Sequence, residues 1–69
     1  TGFKIYPNPV VDQLNISLDG QIHLKLFSLT GELLVEKFGQ EEMTLSVASF
    51  SPGVYFVDVN NDRRKIIKY

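Results

Sequence analysis

The sequence predicts an all-β fold, a small antiparallel sandwich of about seven short strands. Two observations carry that expectation. Apolar residues recur at a spacing of two and almost never at helical spacing, and turn chemistry interrupts them at intervals of about 8 to 12 residues. A third sets the scale: 69 residues hold at most one small domain, because so short a chain buries only about 60% of the surface that its unfolded form exposes.

The elements follow in order. Lys4–Tyr6 reads as a short first strand, and Tyr6-Pro7-Asn8-Pro9 follows it as a stiff, non-helical segment. Each proline fixes its own φ and drives the residue before it into extended conformation, so this stretch cannot supply a full ladder of donors. The segments Leu14-Ile16-Leu18, Ile22-Leu24-Leu26, Leu33-Val35, Met43-Leu45-Val47 and Tyr55-Val57-Val59 each present one oily and one mostly polar face, which is the signature of a half-buried strand. Residues 65–69 make a last strand, and Phe27, Leu34, Phe38, Phe50 and Phe56 are expected to fill corners or cover the opposite face. Turns are expected at Asp19-Gly20, Thr30-Gly31-Glu32, Phe38-Gly39-Gln40, Ser51-Pro52-Gly53 and Asn60-Asn61-Asp62. That spacing suits a Greek-key or immunoglobulin-like sandwich, though the chain is shorter than a full immunoglobulin domain and lacks its Cys and Trp.

Single positions can be weighed in the same way. Gly31 falls between two strand patterns, where positive φ is needed, and Gly53 precedes a run of β-branched and aromatic residues that leaves no room for a bulkier neighbour; both glycines are expected as backbone requirements. Tyr55 shares its face with Val57 and Val59, so it is expected as a core aromatic with its hydroxyl at the rim. The formal net charge is -1, yet Arg63, Arg64, Lys65 and Lys68 all fall at the end of the chain, after every Asp and Glu. Such a basic strand serves either to guard an unpaired sheet edge or to meet a partner.

The chemistry-bearing combinations fail on inspection. His23 is the sole histidine; it alternates with Ile22 and Leu24 and should point outward, with no second imidazole or thiolate for a metal and no triad to join. Asp58-Val59-Asn60-Asn61-Asp62 imitates the start of a calcium loop, but Arg63 stands where the loop needs Gly and Tyr69 where it needs Glu. Asn15-Ile16-Ser17 matches a glycosylation acceptor but lies inside a predicted strand. No glycine-rich phosphate loop is present, the basic tail is too short and too poor in aromatics for nucleic acid, and no apolar stretch approaches the roughly 20 residues that span a bilayer. Without cysteine there is neither disulfide nor thiolate site. We therefore expect no enzyme, no cofactor and no metal. The start Thr1-Gly2-Phe3, without an initiator methionine, leads us to expect a piece of a longer polypeptide: residues 1–5 as the end of a linker from an upstream domain, and residues 6–69 as the domain itself.

One ordered set of motifs is specific where each alone is weak: Tyr6-Pro7-Asn8-Pro9, Leu14-Asn15-Ile16, Leu26-Phe27-Ser28-Leu29-Thr30-Gly31, Ser51-Pro52-Gly53-Val54-Tyr55-Phe56-Val57, and the basic ending at residues 65–68. In this order and at this position the chain resembles the C-terminal sorting domain of type IX secretion substrates in Bacteroidota, over residues 6–69. The resemblance implies a sandwich-like domain at the end of a secreted cargo protein. It also implies transit through the periplasm, recognition by the outer-membrane type IX translocon, removal by a sortase-like cysteine peptidase, and a cargo then attached to the cell surface or released. On the same ground Pro7, Asn8, Pro9, Lys65, Ile66, Ile67 and Lys68 are the expected recognition residues, with Gly31, Gly53 and Tyr55 as structural motif positions. The final strand would then pair with a receptor's sheet edge, with Lys65 and Lys68 fixing register. The alternative is an immunoglobulin- or fibronectin-like accessory module of a secreted enzyme or adhesin, either binding or acting as a spacer. A glycan-binding version of it would need two or three exposed aromatics on one face, in a chain with no Trp.

Overall fold

A computed structural model describes residues 2–7 and 9–69; Thr1 and Asn8, the latter an expected recognition residue, lie outside the described residues. Five strands form one antiparallel sheet: β1 (Lys4–Tyr6), β2 (Gln13–Ser28), β3 (Leu33–Ser46), β4 (Gly53–Val59) and β5 (Asp62–Lys68). The all-β expectation holds, and the described residues contain no α-helix.

The difference from about seven strands has one cause. The expected turns at Asp19-Gly20 and Phe38-Gly39-Gln40 do not reverse the chain, because they fall almost opposite each other in a single long hairpin. β2 and β3 pair from Gln13↔Ser46 to Ser17↔Glu42, then resume at Gln21↔Gln40. Three residues of β2, including Gly20 at φ 120°, thus face Glu41 alone, itself at φ 68°. The two turn signals merge into a β-bulge, which bends both strands and sharpens their twist without ending either. Segments expected as four strands are therefore two.

The bend folds the sheet onto itself. β1 pairs with the first half of β2 through Lys4↔Ser17, Ile5↔Ile16 and Tyr6↔Asn15, while β4 takes the same edge further on, from Leu24↔Val59 to Ser28↔Tyr55. β3 runs along the other edge of β2, and β5 closes the sheet beyond β4. Even-numbered residues of β2 point inward on both sides of the bulge, since three residues against one is an excess of two, which preserves the alternation. Leu14 and Ile16 from the first half thereby meet Leu24, Leu26, Val57, Val59 and Ile66 from the second in one core, completed by Val10, Ile22, Met43, Leu45 and Val47.

Two turns behave as the sequence predicts. Ser28 accepts the Gly31 amide proton on its carbonyl at 3.0 Å, with Gly31 at φ 94°. At the β4–β5 hairpin Asn60 and Asn61 both take positive φ, 51° and 71°, between the closing pair Val59↔Asp62, as a two-residue primed turn requires. Asn60 also fastens that hairpin to β2: its amide donates to the Gln21 carbonyl at 2.8 Å and its Oδ1 accepts the His23 N–H at 2.9 Å. At the start of β3 the outcome differs from expectation. A second register shift, from Leu26↔Val35 to Phe27↔Leu33, leaves Leu33 exposed while Val35 is half-buried. Phe38, expected to fill a corner or cover the opposite face, lies on the outer face opposite His23 and is 73% exposed.

Core and surface leucines should separate sharply. Leu24→Ala, at a fully buried position, is expected to lower the unfolding free energy by about 2–5 kcal/mol, and Leu29→Ala, at a 65% exposed one, by less than about 0.5 kcal/mol. Urea denaturation of both variants checks this.

Candidate recognition surface at the two chain ends

The two ends singled out by the sequence lie side by side. Val10, directly after Pro9, is fully buried and forms an isolated parallel bridge with Lys68. Its N–H donates to the Ile67 carbonyl at 2.8 Å, and the Tyr69 N–H donates to its own carbonyl at 2.9 Å. A second tie lies nearby: the Arg64 guanidinium sits 4.3 Å from the centroid of the Phe3 ring, a cation–π contact that holds the start of the chain against β5. The N-terminal segment thus lies along β5 on the side away from β4.

Alternation along β5 then divides the basic ending in two. Ile66 and Lys68 point inward; Ile66 is a core residue, and Lys68 is only 6% exposed, its Nζ donating to the Tyr69 carbonyl at 2.7 Å. Lys65, Ile67 and Tyr69 are exposed, as are Pro7, Pro9 and Val11. Two parts of the sequence expectation change as a result. Lys65 and Lys68 are on opposite faces, so they cannot act together to set the register of an added strand, and Val10 already occupies the backbone of the strand's end. Val10 itself was missed. The signal was there, a β-branched residue placed directly behind two prolines, but only the fold reveals what it bridges.

Arg63, on the outer face, is anchored to β4. Its Nε and Nη2 donate to the two carboxylate oxygens of Asp58 at 2.8 and 3.3 Å, and its guanidinium stands 5.1 Å from the Phe27 ring centroid and 5.7 Å from that of Phe56. The Asp58 hydrogen bond and then its charge raise the Arg63 pKa above the ordinary value. Phe27 and Phe56 face each other across β2 and β4, so they cover the outer face as the sequence suggested and carry Arg63 there.

The structural motif residues take identifiable positions. Tyr55 packs against the core beside Phe50 at 5.8 Å between centroids, and its hydroxyl donates to the Ser51 carbonyl at 2.6 Å. Gly53 opens β4 at φ 149°. A Cβ there would meet no atom within 4 Å, so backbone conformation, not the crowding inferred from sequence, is what selects glycine. Gly31 is likewise in open space at positive φ.

His23 points outward as expected, stacks on Phe38 at 4.2 Å and places its Nε2 2.5 Å from Glu36 Oε2. A shallow hollow of about 640 Å³ beside it is lined by Gln21, Gln40 and Asn60 as well, with no nucleophile within the set. No group of three His, Asp or Glu side chains among the described residues is placed to hold a metal ion, and no helix is long and apolar enough to cross a membrane.

Two substitutions test this local account by thermal and urea denaturation. Gly53→Ala should destabilise by about 1–3 kcal/mol through backbone strain alone. Tyr55→Phe, which removes one hydrogen bond and leaves the ring, should cost about 0.5–1.5 kcal/mol.

No curated protein matches the chain. The family model for the secretion system C-terminal sorting domain matches residues 4–69, which takes in β1 and everything after it. The chain therefore belongs to the family of C-terminal sorting domains that act as type IX secretion signals.

Proposed function

We propose that the type IX translocon reads the surface made jointly by the N-terminal segment and the outer side of β5. In this reading Pro7, Asn8, Pro9, Lys65 and Ile67 make the contact, while Ile66 and Lys68 hold the strand in place from beneath. The family assigns the chain to a protein exported across the outer membrane, and it is not a catalytic family. The observation that supports the finer reading is the Val10 bridge, which brings the two sequence motifs together on one side of the domain. A surface assembled in advance by core packing binds at lower entropic cost than a flexible tail would.

The remaining steps follow from that role. The boundary expected at residues 5 and 6 moves toward the start of the chain, because Lys4 and Ile5 already pair with β2 and the family match begins at residue 4; the residues before β1 lead in from an upstream cargo domain, and residues 4–69 act as the sorting domain. The cargo passes through the periplasm, a sortase-like peptidase cuts the domain away, and the cargo is attached at the cell surface or released.

The test is a fusion of residues 1–69 behind a periplasm-directed fluorescent reporter in a Bacteroidota host, with and without a working type IX translocon. The unaltered fusion should reach the surface or medium only in the competent strain; retention in both strains would overturn the assignment. Deleting residues 65–69 should abolish export, but it also takes Ile66 out of the core, so exposed substitutions are the sharper probe. Lys65→Glu, and Pro7→Ala with Pro9→Ala, should leave the purified domain folded by circular dichroism and lower export about tenfold, the equivalent of ~1.4 kcal/mol of recognition. Undiminished export of both variants would refute this contact surface.

A further inference from the structure

One long open edge of the sheet is on β3, at the opposite side from β5. In an antiparallel ladder successive residues send their backbone groups alternately to one neighbour and the other. The Asn60 N–H donates to the His23 carbonyl at 3.0 Å, so odd residues of β2 face β4 in this half and even ones face β3. The partners of those even residues, Val35, Lys37 and Gly39, complete the β2–β3 ladder. The N–H and C=O groups of Glu36, Phe38 and Gln40 consequently point off the edge of β3, and no described residue pairs with them.

This edge is guarded at one end only. Past the bulge at Glu41, the Lys37 side chain reaches forward and its Nζ donates to the Thr44 carbonyl at 3.3 Å, a lysine covering an edge acceptor as unpaired strands often require. Residues 35–40 have no such cover. There Phe38 stands 73% exposed with one ring face held by His23, and Leu34, four residues earlier on the same strand, is 38% exposed. The strand and its flanks carry Glu32, Glu36, Glu41 and Glu42 against the single cation Lys37.

We propose that residues 35–40 of β3 accept, by strand addition, an extended segment of another protein that bears lysine or arginine between apolar residues. The off-edge backbone groups supply the ladder, Phe38 and Leu34 the apolar contacts, and the glutamates select the sign of the partner. A second copy of this chain is a poor occupant: pairing β3 with β3 sets glutamates of like charge against one another, and the Val10 bridge covers the backbone at the end of the basic strand β5. The inference stands apart from the export reading, since it uses a different edge and a different assay.

The probe is a short synthetic peptide of alternating valine and lysine, compared with its valine–glutamate counterpart, titrated into the 69-residue chain and followed by amide hydrogen exchange and NMR shifts. The lysine peptide should slow exchange at Glu36, Phe38 and Gln40 about tenfold, and the glutamate peptide should not. Phe38→Pro removes one off-edge donor, which an edge position tolerates, and should weaken binding about tenfold; Phe38→Ala, which keeps that donor, should bind more tightly than the proline variant. If Phe38→Pro fails to fold, Glu41→Lys combined with Glu42→Lys should reverse the peptide preference instead. Equal binding of both peptides, absence of protection with either, protection at β5 in place of β3, unchanged binding by Phe38→Pro, an unreversed preference, or self-association through β3 would each overturn the proposal.

Discussion

The three-against-one bulge where residues 18–20 face Glu41 is the constraint on which the rest depends. A straight hairpin of β2 and β3 would lay its apolar residues along one long, half-covered face with too little chain to cover it. Bending at Gly20 and Glu41, both at positive φ, turns the two halves of that face toward each other. Because the bulge keeps the parity of β2, Leu14 and Ile16 approach Leu24 and Leu26 with the same side inward. Each half of the hairpin becomes the lid of the other, which is how a chain of 69 residues with no cysteine closes a core without a disulfide.

The second determinant is how the ends are fixed. β5 adds Ile66 to the core and Val10 adds itself from the other end of the chain, so the two termini are packed into one layer. The burial of Lys68 follows from this arrangement: the strand's inner face has one more position than the apolar pattern fills, and a long side chain meets it by burying its stem and delivering its Nζ to the Tyr69 carbonyl.

Much of this was legible in the sequence. The period of two located the segments that make β2, β3 and β4, and the Asn60-Asn61 and Thr30-Gly31 turns read true because the residues that reverse the chain there stand alone. Asp19-Gly20 and Phe38-Gly39-Gln40 misled because turn chemistry acts locally, while whether a chain reverses or merely bends depends on what lies opposite across the ladder. The same limit applied at the surface of interest. The motif residues at both ends were identifiable, but the inward turn of Lys68 and the exposure of Phe38 depend on register, and register is a property of strand pairs. Gly53 was read as a backbone requirement and does take positive φ, but the crowding invoked for it is absent, since neighbouring side-chain bulk is visible in a sequence and φ is not.

The bridge from Val10 to the last strand has a temporal meaning. β5 is the last of the five strands to be synthesised, and until it is in place Val10 lacks both of its backbone partners and the core lacks Ile66. A chain interrupted anywhere before its final residues cannot assemble the two-ended surface, however well its earlier parts are made. A signal built in this way reports that β5 has been made and that the domain has closed, whereas a linear tag of the same residues would report only that they are present.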